Sequence, residues 1–139
     1  MKILLAFLIL SASCFAEEPC GLRSMTDTTP LPYPPIARAA HVEGIVILMA
    51  TFKLSGEVQS VEILSGSPLL RGPASAYVQG LRANQYGGTR TCPMVIRHVL
   101  QPLDSETRPI EKKDIQHVTI YANQLPVYTI HDPAGKRIK

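Results

Sequence analysis

The sequence predicts an α+β fold in which a three-stranded antiparallel sheet packs against one main helix, with a short helix ahead of the sheet. Two observations predict it. Residues 45–54 form an almost uniformly apolar, β-prone run that is bounded by turn residues. A returning β-prone run, an amphipathic segment and an alternating run at 94–101 follow in that order. This order describes a hairpin, a helix and a third strand.

The short helix is predicted just after Tyr33. Pro35 can occupy the first helical turn, where its missing N–H costs nothing, and Gly44 then turns the chain. The first strand is predicted over residues 45–54, after Gly44. Because both of its faces are apolar, the second face also needs partial cover. One face holds Val46, Leu48, Ala50 and Phe52, and the other holds Ile45, Ile47 and Met49.

Ser55-Gly56 supplies a turn, and residues 57–65 return as the second strand of a hairpin. The apolar positions Val58 and Val61 break strict alternation. A β-bulge is therefore predicted between them.

The main helix has two candidate starts, Pro68 after Ser67 and Pro73 after Gly72, and Gly87-Gly88 stops it. Its buried face follows the i, i+3, i+4, i+7 pattern. That face is formed by Ala74, Tyr77, Val78 and Leu81.

The third strand is predicted from Met94 to Gln101, with Pro93 at its start, where a missing ladder donor is tolerated. A three-stranded sheet leaves at least one strand edge open, and this strand is expected to supply it. Its two faces are formed by Met94, Ile96, His98 and Leu100, and by Val95, Arg97 and Val99.

The core domain is predicted over residues 33–101. Residues 17–32 are polar and rich in Thr and Pro, which predicts an extended leader ahead of the core. Residues 102–139 are expected to be a linker and a C-terminal extension. Within that extension, Ile115–Tyr121 and Leu125–Ile130 alternate enough to predict a second hairpin.

The first 16 residues have the layout of a secretory signal. Lys2 precedes an apolar run from Ile3 to Leu10 and small residues that end at Ala16, the expected cleavage site. A lipoprotein signal ending at Cys14 is the alternative. The apolar run is far shorter than the roughly 20 residues that span a bilayer, so no stable membrane span is expected after cleavage. The protein is expected in the periplasm or outside the cell.

Cys20 and Cys92 remain after cleavage. An oxidising compartment favours a Cys20–Cys92 disulfide over two free thiols. The four histidines lack the spacing of zinc sites and are interpreted as surface or edge residues, so no metal and no cofactor are expected. These histidines are His41, His98, His117 and His131.

Charge and motifs argue against nucleic-acid binding and catalysis. Of 14 basic and 11 acidic residues, removal of Lys2 leaves 13 and 11, about +2 with neutral histidines. The arginines are spread along the chain instead of forming a stripe, so no nucleic-acid partner is expected. Ser65-Gly66-Ser67 lacks a nucleophile elbow, and Cys92 has no evident activating base. The sequence therefore predicts no enzyme.

A set of positions falls in order along the predicted short helix and hairpin: Tyr33-Pro34, Ala37-Arg38, Glu43-Gly44, Val46, Leu48, Phe52, Gly56, Val58, Val61, Ile63 and Ser65. On these positions, residues 30–101 resemble the C-terminal domain of TonB, and the first half of the match carries most of the resemblance. The second half matches more loosely, through Leu69-Leu70 and on to Tyr86, and Asn84 stands where the family usually has Trp. The membrane anchor and the Pro-rich spacer of an energy transducer are expected to be absent.

The resemblance implies protein binding without catalysis. In the family, the open sheet edge accepts an extended segment of an outer-membrane transporter by β-augmentation. The corresponding edge here is residues 94–101. We expect Val95, Arg97 and Val99 to contact the peptide, with Arg90 near the strand entrance. The expected partner is an envelope protein, such as a TonB-dependent receptor linked to energy-transduced transport.

An alternative stays open because Val118 to Ala122 resembles the short, Thr-containing apolar segments that TonB domains capture. The tail would then add to the sheet edge in cis, or in trans within a homodimer. In that case the chain is a structural or self-associating module of the cell envelope, with its sheet edge capped by its own tail.

Overall fold

The computed structural model describes residues 20–27, 31–86, 89–106, 108, 110–112 and 114–126. The predicted signal at residues 1–16 lies outside them, as do Gly87-Gly88 and most of the predicted strand Leu125–Ile130. The fold is α+β and mostly strands. Its elements in chain order are β1 (Leu22–Asp27), α1 (Pro35–Ala39), β2 (Gly44–Phe52), β3 (Val58–Ser65), α2 (Pro68–Gln79), β4 (Leu81–Tyr86), β5 (Thr91–Gln101), β6 (Glu111–Lys112) and β7 (His117–Asn123).

The strands form two sheets. One has five strands in the order β3-β2-β5-β7-β6, and the other pairs β1 with β4. β2 runs antiparallel to β3 and β5, whereas β7 runs parallel to β5. The predicted sheet of three antiparallel strands therefore had two strands too few, and one of the two added strands, β7, pairs in parallel with β5. One face of β7 is aliphatic. Pairing beside β5 places this face against the core and removes it from water, which is why β7 joins the sheet.

The β2–β3 hairpin confirms the predicted strand faces and bulge. The ladder shifts register where Thr51 and Phe52 face Ser60 and Val58, which leaves Gln59 as the extra residue. In the turn, Gly56 has a φ of +93°, and a Cβ there would lie 2.2 Å from the Ala83 carbonyl oxygen. Glycine is required at this turn on both counts. The predicted core face, Val46, Leu48, Ala50 and Phe52, is fully buried.

The main helix is shorter at its C-terminal end than predicted. α2 begins at Pro68, the first of the two candidate starts, and Pro73 lies inside it. Gly80 ends the helix, and residues 81–86 form β4, where the sequence predicted continued helix. Leu81 is buried as predicted, but it belongs to strand β4 and not to the helix. The 3.6-residue period cannot detect this change, because the partner of β4 is β1, far away in the sequence.

The predicted leader contributes to the core. Leu22–Asp27 forms β1 antiparallel to β4, and Leu22 and Leu31 are 8% and 3% exposed. Each is an isolated apolar residue in a polar stretch, so no period marked it. The core is formed by one face of the five-stranded sheet together with side chains from α1, α2 and the two-stranded sheet.

Cys20 and Cys92 form a disulfide with a Cα–Cα distance of 4.9 Å. It ties the segment before β1 to the start of β5, where Cys92 is fully buried. Structural disulfides are typical of extracytoplasmic proteins. In the described part of the chain, no helix has the length and apolar character required to cross a bilayer.

Candidate functional site at the edge of β5

β5 is paired on both sides, so the expectation that it is an open edge was wrong. β2 occupies one side and β7 the other, in a parallel register that runs from Val95 opposite His117 to Gln101 opposite Asn123. The Val95 N–H donates to the Gln116 carbonyl at 2.7 Å, and the Gln124 N–H donates to the Gln101 carbonyl at 2.8 Å. The tail segment that the alternative interpretation placed on this edge, in cis or in trans, pairs with β5 within one chain.

Three of the four predicted contact residues lie along this ladder. Because successive N–H groups of a strand point to opposite neighbours, Arg97 and Val99 share the direction of Val95 and direct their backbone groups towards β7. They face Thr119 and Tyr121. Their side chains lie on the sheet face away from the core, where Val95 and Val99 are half-buried and Arg97 is exposed.

Arg90 is not brought together with those three residues. It is exposed and precedes β5, and its carbonyl accepts a hydrogen bond from the Phe52 N–H at 3.0 Å. Its backbone therefore contacts β2, on the side of β5 away from β7. The role predicted for Arg90 in peptide contact stays a prediction.

β7 contributes side chains to the core. Val118 and Ile120 are each 2% exposed, while Thr119 and Tyr121 on the opposite face are half-buried. Burying two aliphatic side chains contributes about 1.5–3 kcal/mol each. This burial gives β7 a strong preference for its place beside β5.

The start of β7 is held by Asp114. Its carboxylate accepts hydrogen bonds from the backbone N–H groups of Gln116 and His117, at 2.8 and 2.9 Å, and from the His117 ring at 2.7 Å. The hydrogen bond with His117 is the main cause of a lowered pKa at Asp114. The Gln116 side-chain amide donates to the Pro93 carbonyl, which joins this turn to β5.

The far end of β7 is held from α1. Arg38 Nε donates to the Asn123 carbonyl at 2.6 Å, and the Asn123 side-chain amide donates to the Leu103 and Ser105 carbonyls. On the other side of β5, Glu43 Oε1 accepts from the Leu100 N–H at 2.5 Å. Sequence reasoning gave Arg38 and Glu43 no role. The signal available was that both belong to the motif positions that resemble the TonB domain.

His98 is in the core, so its interpretation as a surface or edge residue was wrong. It is 1% exposed and packs edge-to-face on Tyr33, with ring centroids 5.4 Å apart. Neither ring nitrogen has a hydrogen-bond partner among the residues described. Burial lowers the pKa of His98 to about 4. The alternation of β5 placed His98 on the same face as the buried residues Met94 and Ile96. In the structure, His98 follows this alternation although its side chain is polar.

The outer side of β7 is only partly covered. β6 pairs with Val118 and Thr119 through two residues, Lys112 and Glu111. Lys112 also forms an ion pair with Asp27 of β1. Beyond this contact, no other described strand pairs with the outer side of Ile120–Asn123, where Arg38 binds the Asn123 carbonyl. β7 is therefore attached mainly through β5 and the core.

Residues 20–27, 31–86, 89–106, 108, 110–112 and 114–126 contain no group of three or more His, Cys, Asp or Glu side chains placed to hold a metal ion. Comparison with protein-family models found no match to this chain. Searches of curated proteins and of solved structures found no significant match either.

Proposed function

We propose that this chain is a non-catalytic, TonB-like protein-binding domain of the periplasm. It binds an extended segment of another envelope protein, such as a TonB-dependent outer-membrane transporter, by strand addition to β5. The observation that carries this proposal is that β5 pairs along residues 95–101 with the chain's own β7, in the position that a visiting strand would take. Main-chain hydrogen bonds supply affinity at such an edge, and alternate side chains supply specificity.

The order of the central elements supports the TonB-like assignment. α1, β2, β3, α2 and β5 follow the expected order of short helix, hairpin, helix and strand. β1, β4, β6 and β7 are additions to this order. A transporter partner would connect the domain to energy-transduced transmembrane transport.

A visiting segment competes with β7 for the same edge. β7 is tethered to β5 by residues 102–116, so its effective concentration is on the order of millimolar. A partner that lacks aliphatic residues in place of Val118 and Ile120 would also leave part of the core uncovered. The favoured partner therefore offers aliphatic side chains at two alternate positions of an extended segment.

A second candidate function follows from the same geometry. If β7 of one copy lay on β5 of another, each subunit would keep the same core contacts, and the pair would be joined by exchanged strands. The chain would then be a structural or self-associating envelope module. The observation that favours this candidate is that β7 occupies the edge and buries Val118 and Ile120 there.

To test strand addition, the segment of residues 102–116 that tethers β7 to β5 is made cleavable. A protease recognition sequence is inserted after the exposed Glu106, and the cleaved protein is mixed with a fluorescent peptide of residues 115–126. We expect the peptide to bind the cleaved protein at least tenfold more tightly than the uncleaved protein, because cleavage removes the tethered competitor. The matched control peptide carries Asp in place of Val118 and Ile120, and it should not bind.

Failure of the folded, cleaved protein to exchange its resident strand for the labelled peptide would contradict strand addition. Sedimentation equilibrium of the uncleaved protein separates the two candidates. A monomer supports the binding domain, whereas a dimer that dissociates when β7 is supplied as peptide supports the self-associating module.

A further inference from the structure

The Arg38 guanidinium makes a contact that spans 85 positions of the sequence. It extends from the last turn of α1 to the Asn123 carbonyl, and the hydrogen bond is partly buried. Within the described ranges, that carbonyl is its one hydrogen-bond partner, and no carboxylate forms an ion pair with it. A charged donor to a carbonyl forms a stronger hydrogen bond than a neutral pair.

The segment that presents Arg38 is fixed to the sheet. Ala37 is fully buried and its carbonyl accepts from the Val42 N–H at 2.8 Å. The Tyr33 hydroxyl donates to the Val42 carbonyl at 2.5 Å. Glu43, at the end of the same segment, holds the Leu100 N–H of β5. The guanidinium therefore has a defined position relative to the end of the β5 edge.

We infer that Arg38 is a specificity-determining residue of this edge, a clamp that binds the main-chain carbonyl at the end of whichever strand lies on β5. This inference rests on the proposed function. Every residue carries a backbone carbonyl, so the clamp acts on a foreign strand as it does on β7. It selects for how far an occupant extends, because only a segment that continues to the position opposite Gln101 presents a carbonyl to Arg38.

The clamp and the buried face of β7 together define the segment that fits. Val118 and Ile120 are the fifth and third residues before Asn123, whose carbonyl Arg38 binds. The outward positions next to these two residues carry Thr119 and Tyr121 and are less restricted. The favoured ligand is an extended segment that runs parallel to β5. It carries aliphatic residues five and three positions before the residue whose main-chain carbonyl accepts the hydrogen bond from Arg38.

The first test uses the full-length protein and requires no second chain. Arg38→Met keeps an unbranched side chain as far as the position of Nε and removes the guanidinium donors. We expect amide hydrogen exchange at Gln124 and at the end of β7 to become about tenfold faster, the effect of losing a hydrogen bond to a charged group. Exchange near Val118 should be unchanged. The matched control is Arg71→Met, because Arg71 Nε also donates to a backbone carbonyl, that of Gly66, at 2.7 Å.

The second test measures coupling between Arg38 and the length of the peptide. Two amidated peptides, residues 115–126 and residues 115–122, are titrated into the cleaved protein with Arg38 and with Arg38→Met. Shortening also removes other contacts of Asn123 and Gln124, so the readout is the extra loss that depends on Arg38. We expect an extra loss of about tenfold. Arg38→Lys should retain only part of it, because lysine lacks the fixed guanidinium geometry.

Equal exchange rates in Arg38→Met and Arg71→Met would overturn the clamp, as would an equal effect of shortening with and without Arg38. If the cleaved protein bound neither peptide while Arg38→Met still sped exchange at Gln124, the proposed function would fail and the clamp on β7 would stand.

Discussion

His98 and Gln101 are the buried polar residues of the described core, and both lie on β5. An imidazole without hydrogen-bond partners is tolerated in the core only in its neutral form, because charging it there requires desolvation. This is the reason that the pKa of His98 falls to about 4. In the unfolded chain the same group titrates near 6.5. The folded state therefore binds fewer protons than the unfolded state between these two values.

This difference predicts an acid-sensitive fold. The free energy of unfolding should fall by up to about 3 kcal/mol as the pH decreases from about 6.5 to about 4, and this group should cause no further loss below that. His98→Leu removes the titration, so its stability should depend less on pH in that window. Urea denaturation of both proteins at a series of pH values measures the difference. Parallel pH profiles would show that His98 is not the titrating group.

At the scale of single elements, β7 shows how a strand is specified by burial on one face. Successive side chains alternate between the core and the outer face, so a shift by one residue would expose Val118 and Ile120 and bury Thr119 and Tyr121. The register is therefore fixed by hydrophobic burial as well as by the hydrogen bonds at the two strand ends.

The register gives a second prediction. Ile120→Ala should lower the free energy of unfolding by about 2–4 kcal/mol because it creates a cavity in the core. Thr119→Ala, the matched control on the outer face, should cost less than about 1 kcal/mol. Chemical denaturation of the two variants checks this. Equal losses, or a larger loss for Thr119→Ala, would contradict the register.

The boundary between α2 and β4 shows the limit of reasoning about one element at a time. Ala74, Tyr77, Val78 and Leu81 were predicted as the buried helical face, and all four are buried. The helix nevertheless ends at Gly80, and Leu81 begins a strand paired with β1. Local pattern predicted which side chains are buried. Pairing with a strand about 60 positions earlier decided the backbone conformation.

For the whole molecule, the Cys20–Cys92 disulfide joins the segment before β1 to β5 across 72 positions. A covalent link over a loop of this length reduces the entropy of the unfolded chain, and such links contribute about 2–4 kcal/mol. It also holds the two-stranded sheet against the core, through β1.

The link gives a third prediction. Reduction of the wild-type protein should lower its free energy of unfolding by about 2–4 kcal/mol. Cys20→Ala should unfold at the same urea concentration as the reduced wild-type protein, and reductant should not shift it further. Urea unfolding with and without reductant measures both. An unchanged midpoint on reduction of the wild-type protein would contradict this contribution.

The sequence by itself determined the features that depend on neighbouring residues. The β2–β3 hairpin follows from its turn at Gly56 and its alternating faces, and the bulge at Gln59 from one break in alternation. Each is specified by local turn chemistry or by periodicity within one segment, so each could be predicted without knowledge of the rest of the chain.

The tertiary structure alone decided which segments meet. The sequence offered β7 as one candidate occupant of the β5 edge, but the parallel pairing, the Arg38 bond to Asn123, the burial of His98 and the pairing of β1 with β4 depend on contacts between distant residues. Strand pairing uses backbone groups that every residue carries, so its choice of partner leaves little mark on local sequence. The total area buried when all segments pack together makes that choice.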